Sequence, residues 1–308
     1  MKGTTYSQLQ VFQAIVSEGS IRGAARKLEM AAPSVSQALK LLESNIGLTL
    51  FNRTTRKVEL TDAGRLLYER TSQAMASLSI AIESVQELAD EPSGKLRITL
   101  PKFVFNTYFQ SIYAKFCRLY PQIQLEVVIS DATLDIVKEG IDLGIRFGNK
   151  VEEGMVAKKL TEPMQEALFA SPAYFDKFGV PSSLEDLSQH QLIQYRFVTS
   201  NQYARLNLID NGQDTLVEMP YALVVNDTDV MIDGALQGLG IGRLVLPCVE
   251  ELIESGELKP VLKDHWPNFQ GLYLYFSRNS QKVKRIRVFI DFLVVEFNQA
   301  SLSSSSSD

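Results

Sequence analysis

Ser34, Ser36, Gln37 and Lys40 stand three and four residues apart in the stretch AAPSVSQALKLLESNIG, residues 31–47. Such spacings gather side chains on one side of a helix. Hydroxyl and amide groups can hydrogen-bond base edges or phosphates, and an ammonium neutralises a phosphate. Val35, Leu39 and Leu42 fall on the opposite side and read as core. A second polar group follows in LTLFNRTTRKVEL, where Arg53, Thr54, Arg56 and Lys57 cluster about a turn. Placed beside the helix, this basic turn could straddle a backbone or minor groove, with strong salt dependence. Arg22 on the preceding helix, with Ala32 and Pro33 at the start of this one, completes the candidate contacts. Taken without its flanks, the helix also reads as the polar surface of a protein-interaction module.

Charge is distributed unevenly. Residues 1–61 carry eight basic and four acidic groups, a net +4, within a chain of net charge −5. The remainder is therefore −9, so one end suits a polyanion and the other does not. Catalytic chemistry finds little support. His190 and His265 are the only histidines, and neither has a partner at ligand spacing. Cys117 and Cys248 lie far apart and read as plain buried or half-buried thiols. The glycine-rich GALQGLGIG follows a helix and lacks the strand-before, helix-after context of a dinucleotide site. No catalytic set, metal site or cofactor is expected, and an enzyme of α/β class is the weakest alternative. No apolar run approaches the roughly 20 residues of a membrane span. The first 25 residues lack an export signal, so no membrane association and a cytoplasmic location are expected.

The elements that must position these residues can be read next. SQLQVFQAIVSE places Leu9, Phe12, Ile15 and Val16 on one stripe; Gly19 stops that helix and Ser20 caps the next. IRGAARKLEM is short, and Ala24 and Ala25 allow a close helix crossing. Pro33 suits the first turn of the third helix. Two helices joined by a tight turn form a helix-turn-helix, whose second helix fits the major groove. Thr61 and Asp62 open a long helix. Its apolar positions are Tyr68, Met75, Leu78, Ile82, Val85 and Ala89, a heptad seam for pairing two chains. A single helix lying on its own domain is the alternative. DEPSG, residues 90–94, breaks it as a hinge. From 95 onward strands alternate with helices, LDIVKEG among the latter, which implies a mostly parallel sheet covered on both faces. The serine-rich end, 301–308, is expected to be disordered.

The run GSIRGAARKLEMAAPSVSQALKLLESNIGLTLFNRTTRKVELTDAGRLL resembles the amino-terminal domain of the LysR-type transcriptional regulators over about fifty positions. Two departures stand out: Ala31-Ala32 replaces the family's common Ser-Gln, and Gln37 stands where an arginine is frequent. Operator preference is therefore not transferable from relatives. YPQIQLEVVISD, VKEGIDLGIRFG, ASPAYFDKFG and GLGIGRLVLP resemble that family's effector-binding domain, itself similar to periplasmic solute-binding proteins. They resemble most a subgroup with an Ile/Leu-Arg-x-Gly ending on the third strand. The implied fold class is α+β multidomain: a winged helix-turn-helix over 1–61, a linker dimerisation helix over 62–90, and a hinge at 91–94. A two-lobed α/β effector domain covers 95–300, with one lobe at about 95–163 and 268–298 and the other at about 164–267.

The implied function is sequence-specific DNA binding modulated by a small effector. Partners would be double-stranded DNA with an imperfect inverted repeat, a second copy or three further copies of the chain, and RNA polymerase. A regulator without an effector is the alternative. In such folds ligands sit beyond the carboxyl ends of strands, between lobes. The candidates are Pro101, Lys102 and Phe103; Ser130 and Asp131; Arg146 and Phe147; Phe197, Val198 and Thr199; Asn226, Asp227 and Thr228; and Arg243. Lys102, Arg146 and the helix starts near 103 and 228 suggest a small carboxylate, aromatic rings of Phe103, Phe105, Phe147 and Phe197 supplying an apolar wall. The structural alternative pairs Arg146 with an acid such as Asp131 and uses Phe103 as core.

Overall fold

The computed structural model describes residues 4–53, 58–86, 91–148, 151, 154–278 and 280–304. The chain divides into two compact units, residues 1–90 with 135–141, and residues 91–134 with 142–308.

In the first unit, α1 (Thr4–Glu18), α2 (Ile21–Lys27) and α3 (Ala32–Ile46) enclose a core in which Phe12, Ile15, Ala24 and Val35 have no exposed surface. Burying Phe12 or Ile15 contributes about 1.5–3 kcal/mol each. The Ser20 hydroxyl accepts the Gly23 N–H at 3.0 Å and starts α2. Pro33 lies in the first turn of α3, and Gly47 caps its end. The strands β1 (Phe51–Arg53) and β2 (Val58–Leu60) pair antiparallel as the wing, and the Phe51 ring packs 5.4 Å from Phe12. A charged side chain orders the approach to the wing: the Glu43 carboxylate accepts the Leu50 N–H at 2.8 Å. The Thr61 hydroxyl accepts the Gly64 N–H at 3.0 Å and begins α4 (Asp62–Gln86). Gly64 has no substitute there, because a Cβ would collide with the Leu50 carbonyl.

In the second unit, β3 (Gly94–Leu100) leads through the short α5 (Lys102–Val104), a π-helical turn over Phe105–Phe109, and α6 (Tyr113–Leu119) to β4 (Ile123–Ile129). Helical structure thus starts at Lys102, at the helix start expected near 103. With β5 (Leu143–Phe147), β6 (Val156–Lys159) and β15 (Leu272–Phe276), these strands form a sheet of order β4-β3-β5-β15-β6. The second lobe starts with β7 (Met164–Ala170) and α7 (Pro172–Phe178). Next come β8 (Leu192–Tyr195), the hairpin β9 (Leu206–Asp210) and β10 (Gln213–Val217), and β11 (Tyr221–Val225). α8 (Thr228–Leu236), β12 (Gly242–Val245), α9 (Glu250–Glu254) and β13 (Lys259–Val261) complete it. The terminal α10 (Lys284–Ser304) packs Phe289 against Phe116 of α6, with ring centres 4.6 Å apart.

Four expectations change. The sheets are mixed: β3 is parallel to β4 and β5, but β15 runs antiparallel to β5 and β6, and β12 and β13 run antiparallel to β7. Only the first lobe is re-entered, by β15, which runs against the strands laid down before the second lobe. LDIVKEG forms turns, not a helix. The Asp135 carboxylate accepts the Val137 and Lys138 N–H groups, and Gly140, at φ +62, ends the turn. The return to the first lobe comes later than 268, since β14 (Asn268–Phe269) still pairs with β7. Finally, α10 continues to Ser304, so residues 301–304 are helical; 305–308 lie outside the described residues.

Candidate nucleic-acid interface and effector cleft

Val35, Leu39 and Leu42 of α3 are buried. Pro33, Ser34, Gln37 and Lys40 are exposed on the other side, while Ala32 and Ser36 are half-buried at its flanks. Arg22 on α2 is exposed. Arg53 ends β1; Thr54, Arg56 and Lys57 lie outside the described residues. Sequence reasoning passed over two exposed apolar side chains, Met30 at 40% and Leu41 at 48% exposure. Their departure from the buried stripe was the available signal. Of the expected heptad positions, Met75 is half-buried and Leu78 is 44% exposed. Tyr68 has a different duty, packing on the core of the first three helices. Ile82 and Val85 fall within α4, and Ala89 lies outside the described residues.

In the second unit the strand ends bring most of the cleft candidates together. Lys102 Nζ lies 2.8 Å from both Asp227 Oδ2 and Asp229 Oδ2, tying the first lobe to the second. Asn106 Nδ2 donates to Asp229 Oδ1 at 3.0 Å, and the Thr133 N–H donates to the Thr199 hydroxyl at 2.7 Å. Hydrogen bonds to Asp227 and then Asp229 hold the Lys102 ammonium above the usual lysine range. Burial works to raise the Asp227 carboxyl, but hydrogen bonds from Lys102 and two backbone N–H groups outweigh it and the net shift is downward. Tyr195 donates to the Asn226 carbonyl at 3.2 Å; burial, with Asp131 and Asp227 adding, pushes it up to about 12. The Phe103 and Phe147 rings stack at 5.3 Å. Phe197 and Val198 are 44% and 48% exposed. Pro101 is buried at the end of β3, and Thr228 is buried at the start of α8.

Arg146 is structural in its bonding. Its Nη2 donates to the Ser130 and Ala132 carbonyls at 3.0 Å each, and its Nη1 to the Ile145 carbonyl at 3.1 Å. Arg243 is committed inside the second lobe, donating to the Arg205 carbonyl at 2.6 Å with Glu166 at 3.7 Å. Burial lowers Arg243 and raises Glu166.

The carboxylate seat expected from Lys102 and two helix starts is already filled. Asp131 Oδ1 accepts the Lys102 N–H at 3.3 Å at the first start. Asp227 Oδ1 accepts the Asp229 and Val230 N–H groups at the second. Among the described residues, Lys102 is thus paired twice, and each of the two helix starts already meets a carboxylate of the chain itself. The histidines are structural: His190 Nδ1 meets the Tyr174 hydroxyl at 3.2 Å, and His265 Nδ1 the Ile209 carbonyl at 2.6 Å. Cys117 is exposed rather than buried, while Cys248 is half-buried and burial pushes its thiol up to about 12. Among the described residues no cluster of potential metal ligands occurs, and no helix is long and apolar enough to cross a membrane.

Comparison with known proteins gives matching results for both units. Residues 6–65 match the bacterial regulatory helix-turn-helix protein, lysR family, and residues 89–298 match the LysR substrate binding domain. The HTH-type transcriptional regulator PgrR of Escherichia coli (strain K12) is 31% identical over 95% of this chain and 98% of its own. CrgA of Neisseria meningitidis serogroup C (strain 8013) is 30% identical over 95% and 97%. The solved structure of CrgA, a LysR-type transcriptional regulator from Neisseria meningitidis, superposes with a TM-score of 0.61 at 27% identity, covering 94% of this chain and 98% of that one. The full-length Vibrio cholerae virulence activator AphB gives a TM-score of 0.63 at 25% identity, covering 94% and 98%.

Proposed function

This chain belongs to the LysR family of bacterial transcriptional regulators, and from that premise we propose how its own residues carry regulation. The exposed side of α3 enters the major groove, with Arg22, Ala32, Pro33, Ser34, Ser36, Gln37 and Lys40 facing DNA. Arg53, Thr54, Arg56 and Lys57 of the wing meet the backbone or minor groove. The observation that carries this is the division of α3 into a buried apolar stripe and an exposed polar side. Selection of chromosomal fragments bound by the purified protein tests it. Recovery of fragments sharing an imperfect inverted repeat is the expected result; retention of no fragment at low ionic strength would count against it.

The working unit is a dimer paired through α4, with a tetramer built from two such pairs. Exposed Leu78 supports the first step. Exposed Leu119 at the end of α6, Ile129 at the end of the outer strand β4, and Tyr221 and Val224 on β11 support further assembly. The cytoplasm, where chromosomal DNA and RNA polymerase are found, is the place of action.

A small effector binds between the lobes. It replaces the contacts of Lys102 with Asp227 and Asp229 by hydrogen-bond donors of its own, with Phe103 and Phe147 beside it. Pro101, Ser130, Asp131, Phe197, Val198, Thr199, Asn226 and Thr228 remain its proposed surroundings; Arg146 and Arg243 act as supports. Calorimetry with panels of small amines, neutral compounds and carboxylates tests this, and exclusive binding of carboxylates would reverse it. A regulator without an effector is a second reading, favoured by the ties that close the cleft between Lys102, Asn106 and Thr133 and their second-lobe partners.

We also place the chain in the subgroup with an Ile/Leu-Arg-x-Gly strand end, here Ile145-Arg146-Phe147-Gly148. The motif has a physical use: the arginine gathers three carbonyls, and a Cβ on Gly148 would press on Gln270 and Tyr273.

A further inference from the structure

The residues that point most directly away from the buried stripe of α3 can be found from the geometry of the helix. An α-helix turns by about 100° per residue. With Val35, Leu39 and Leu42 buried, the direction opposite their midpoint falls between Gln37 and Ser44, of which Gln37 carries the longer side chain. Pro33 and Lys40 lie to one side of it, Ser34 and Leu41 to the other. Gln37 is exposed, and its amide makes no hydrogen bond among the described residues. The other side-chain amide of α3, that of Asn45, is engaged, donating to Gln8 at 3.3 Å. A shallow hollow beside Gln37 is lined in part by Met30, Ser34, Ala38 and Leu41, so apolar surface adjoins the free amide.

That combination has a chemical complement in the major groove. A glutamine amide can donate to N7 and accept from N6 of adenine together, and apolar groups suit the C5-methyl of thymine. No other base pair offers that acceptor–donor pattern beside a methyl. We propose that Gln37 is a specificity-determining residue that reads the adenine of one A·T pair in each half-site. The inference rests on the DNA-binding reading above and adds to it the identity of one base pair.

The test is selection of bound duplexes from a random-sequence library by the full-length wild-type protein, Gln37→Arg and Gln37→Ala. The wild type should select A·T at one fixed position of each half-site. Gln37→Arg should select G·C at that position, since a guanidinium pairs with O6 and N7 of guanine, and Gln37→Ala should relax that position alone. Exchanging the A·T for G·C in a selected duplex should weaken wild-type binding about tenfold. Identical base preferences in all three proteins would overturn the inference while leaving DNA binding intact. Failure of the wild type to select any duplex would overturn both. Should one variant not fold, the other is compared with the wild type, and a preference altered at one position alone upholds the assignment. Indifference of the wild type to A·T→G·C exchange at every half-site position overturns it.

Discussion

Single side chains in this molecule divide into those already bonded and those left open, and this division separates support from recognition. Arg146 looked like an anion receptor because it is cationic and stands at a strand end. Its guanidinium instead serves three carbonyls. Arg146→Ala should strand those acceptors and cost about 1–3 kcal/mol for each one left buried. Arg146→Lys should not restore stability, because an ammonium lacks the planar fork. Thermal melting of both variants checks this. Lys40 is the contrasting case, exposed and outside the ion pairs of the described residues. Lys40→Ala and Arg56→Ala should weaken binding to most duplexes and lower the slope of log affinity against log salt by about one unit each. Anisotropy titrations at several salt concentrations measure it.

Among elements, the contact of α5 with the start of α8 is one joint between lobes. Asp227 both caps α8 and receives Lys102. Asp227→Asn keeps a good cap and removes the charge. Because both partners are about one-third exposed, the pair should contribute less than about 1 kcal/mol. The variant should therefore melt almost as the wild type does, yet exchange amide hydrogens faster at the cleft mouth. The pH dependence has a definite sign. The Asp227 carboxyl is lowered on folding, so its stabilisation is present above the ordinary aspartate value near 4 and is lost as pH falls through its lower folded value. Lys102 is raised, so its share is complete below the ordinary lysine value and is lost only in strong alkali. The tie should therefore hold across the neutral range, and cleft-mouth exchange should be flat there. At the junction of wing and α4, Gly64→Ala should cost about 1–3 kcal/mol by forcing the Leu50 carbonyl aside.

For the whole molecule, pairing through α4 would set two recognition helices at a fixed spacing. Half-sites then fall one helical turn apart or a multiple of it. Inserting about five base pairs between half-sites turns one of them to the far side of the duplex. Binding should drop by more than tenfold and recover with ten inserted, as read by gel retention. Leu78→Asp should shift the protein toward smaller species in light scattering.

What the sequence determined by itself is whatever depends on local spacing. The helix-turn-helix, the Ser20 and Thr61 caps, the buried stripe of α3 and most strands of the effector domain follow from apolar period and capping chemistry, which act over a few residues. The Asn211-Gly212 turn of the β9–β10 hairpin was equally legible and was passed over. Strand direction, the lobe boundary at β14 and the partners of charged groups were decided only in three dimensions. Lys102 and Asp227 are 125 residues apart in the chain. A charge in sequence has a sign but no neighbour, and folding alone determines whether it meets a ligand or another part of the same chain.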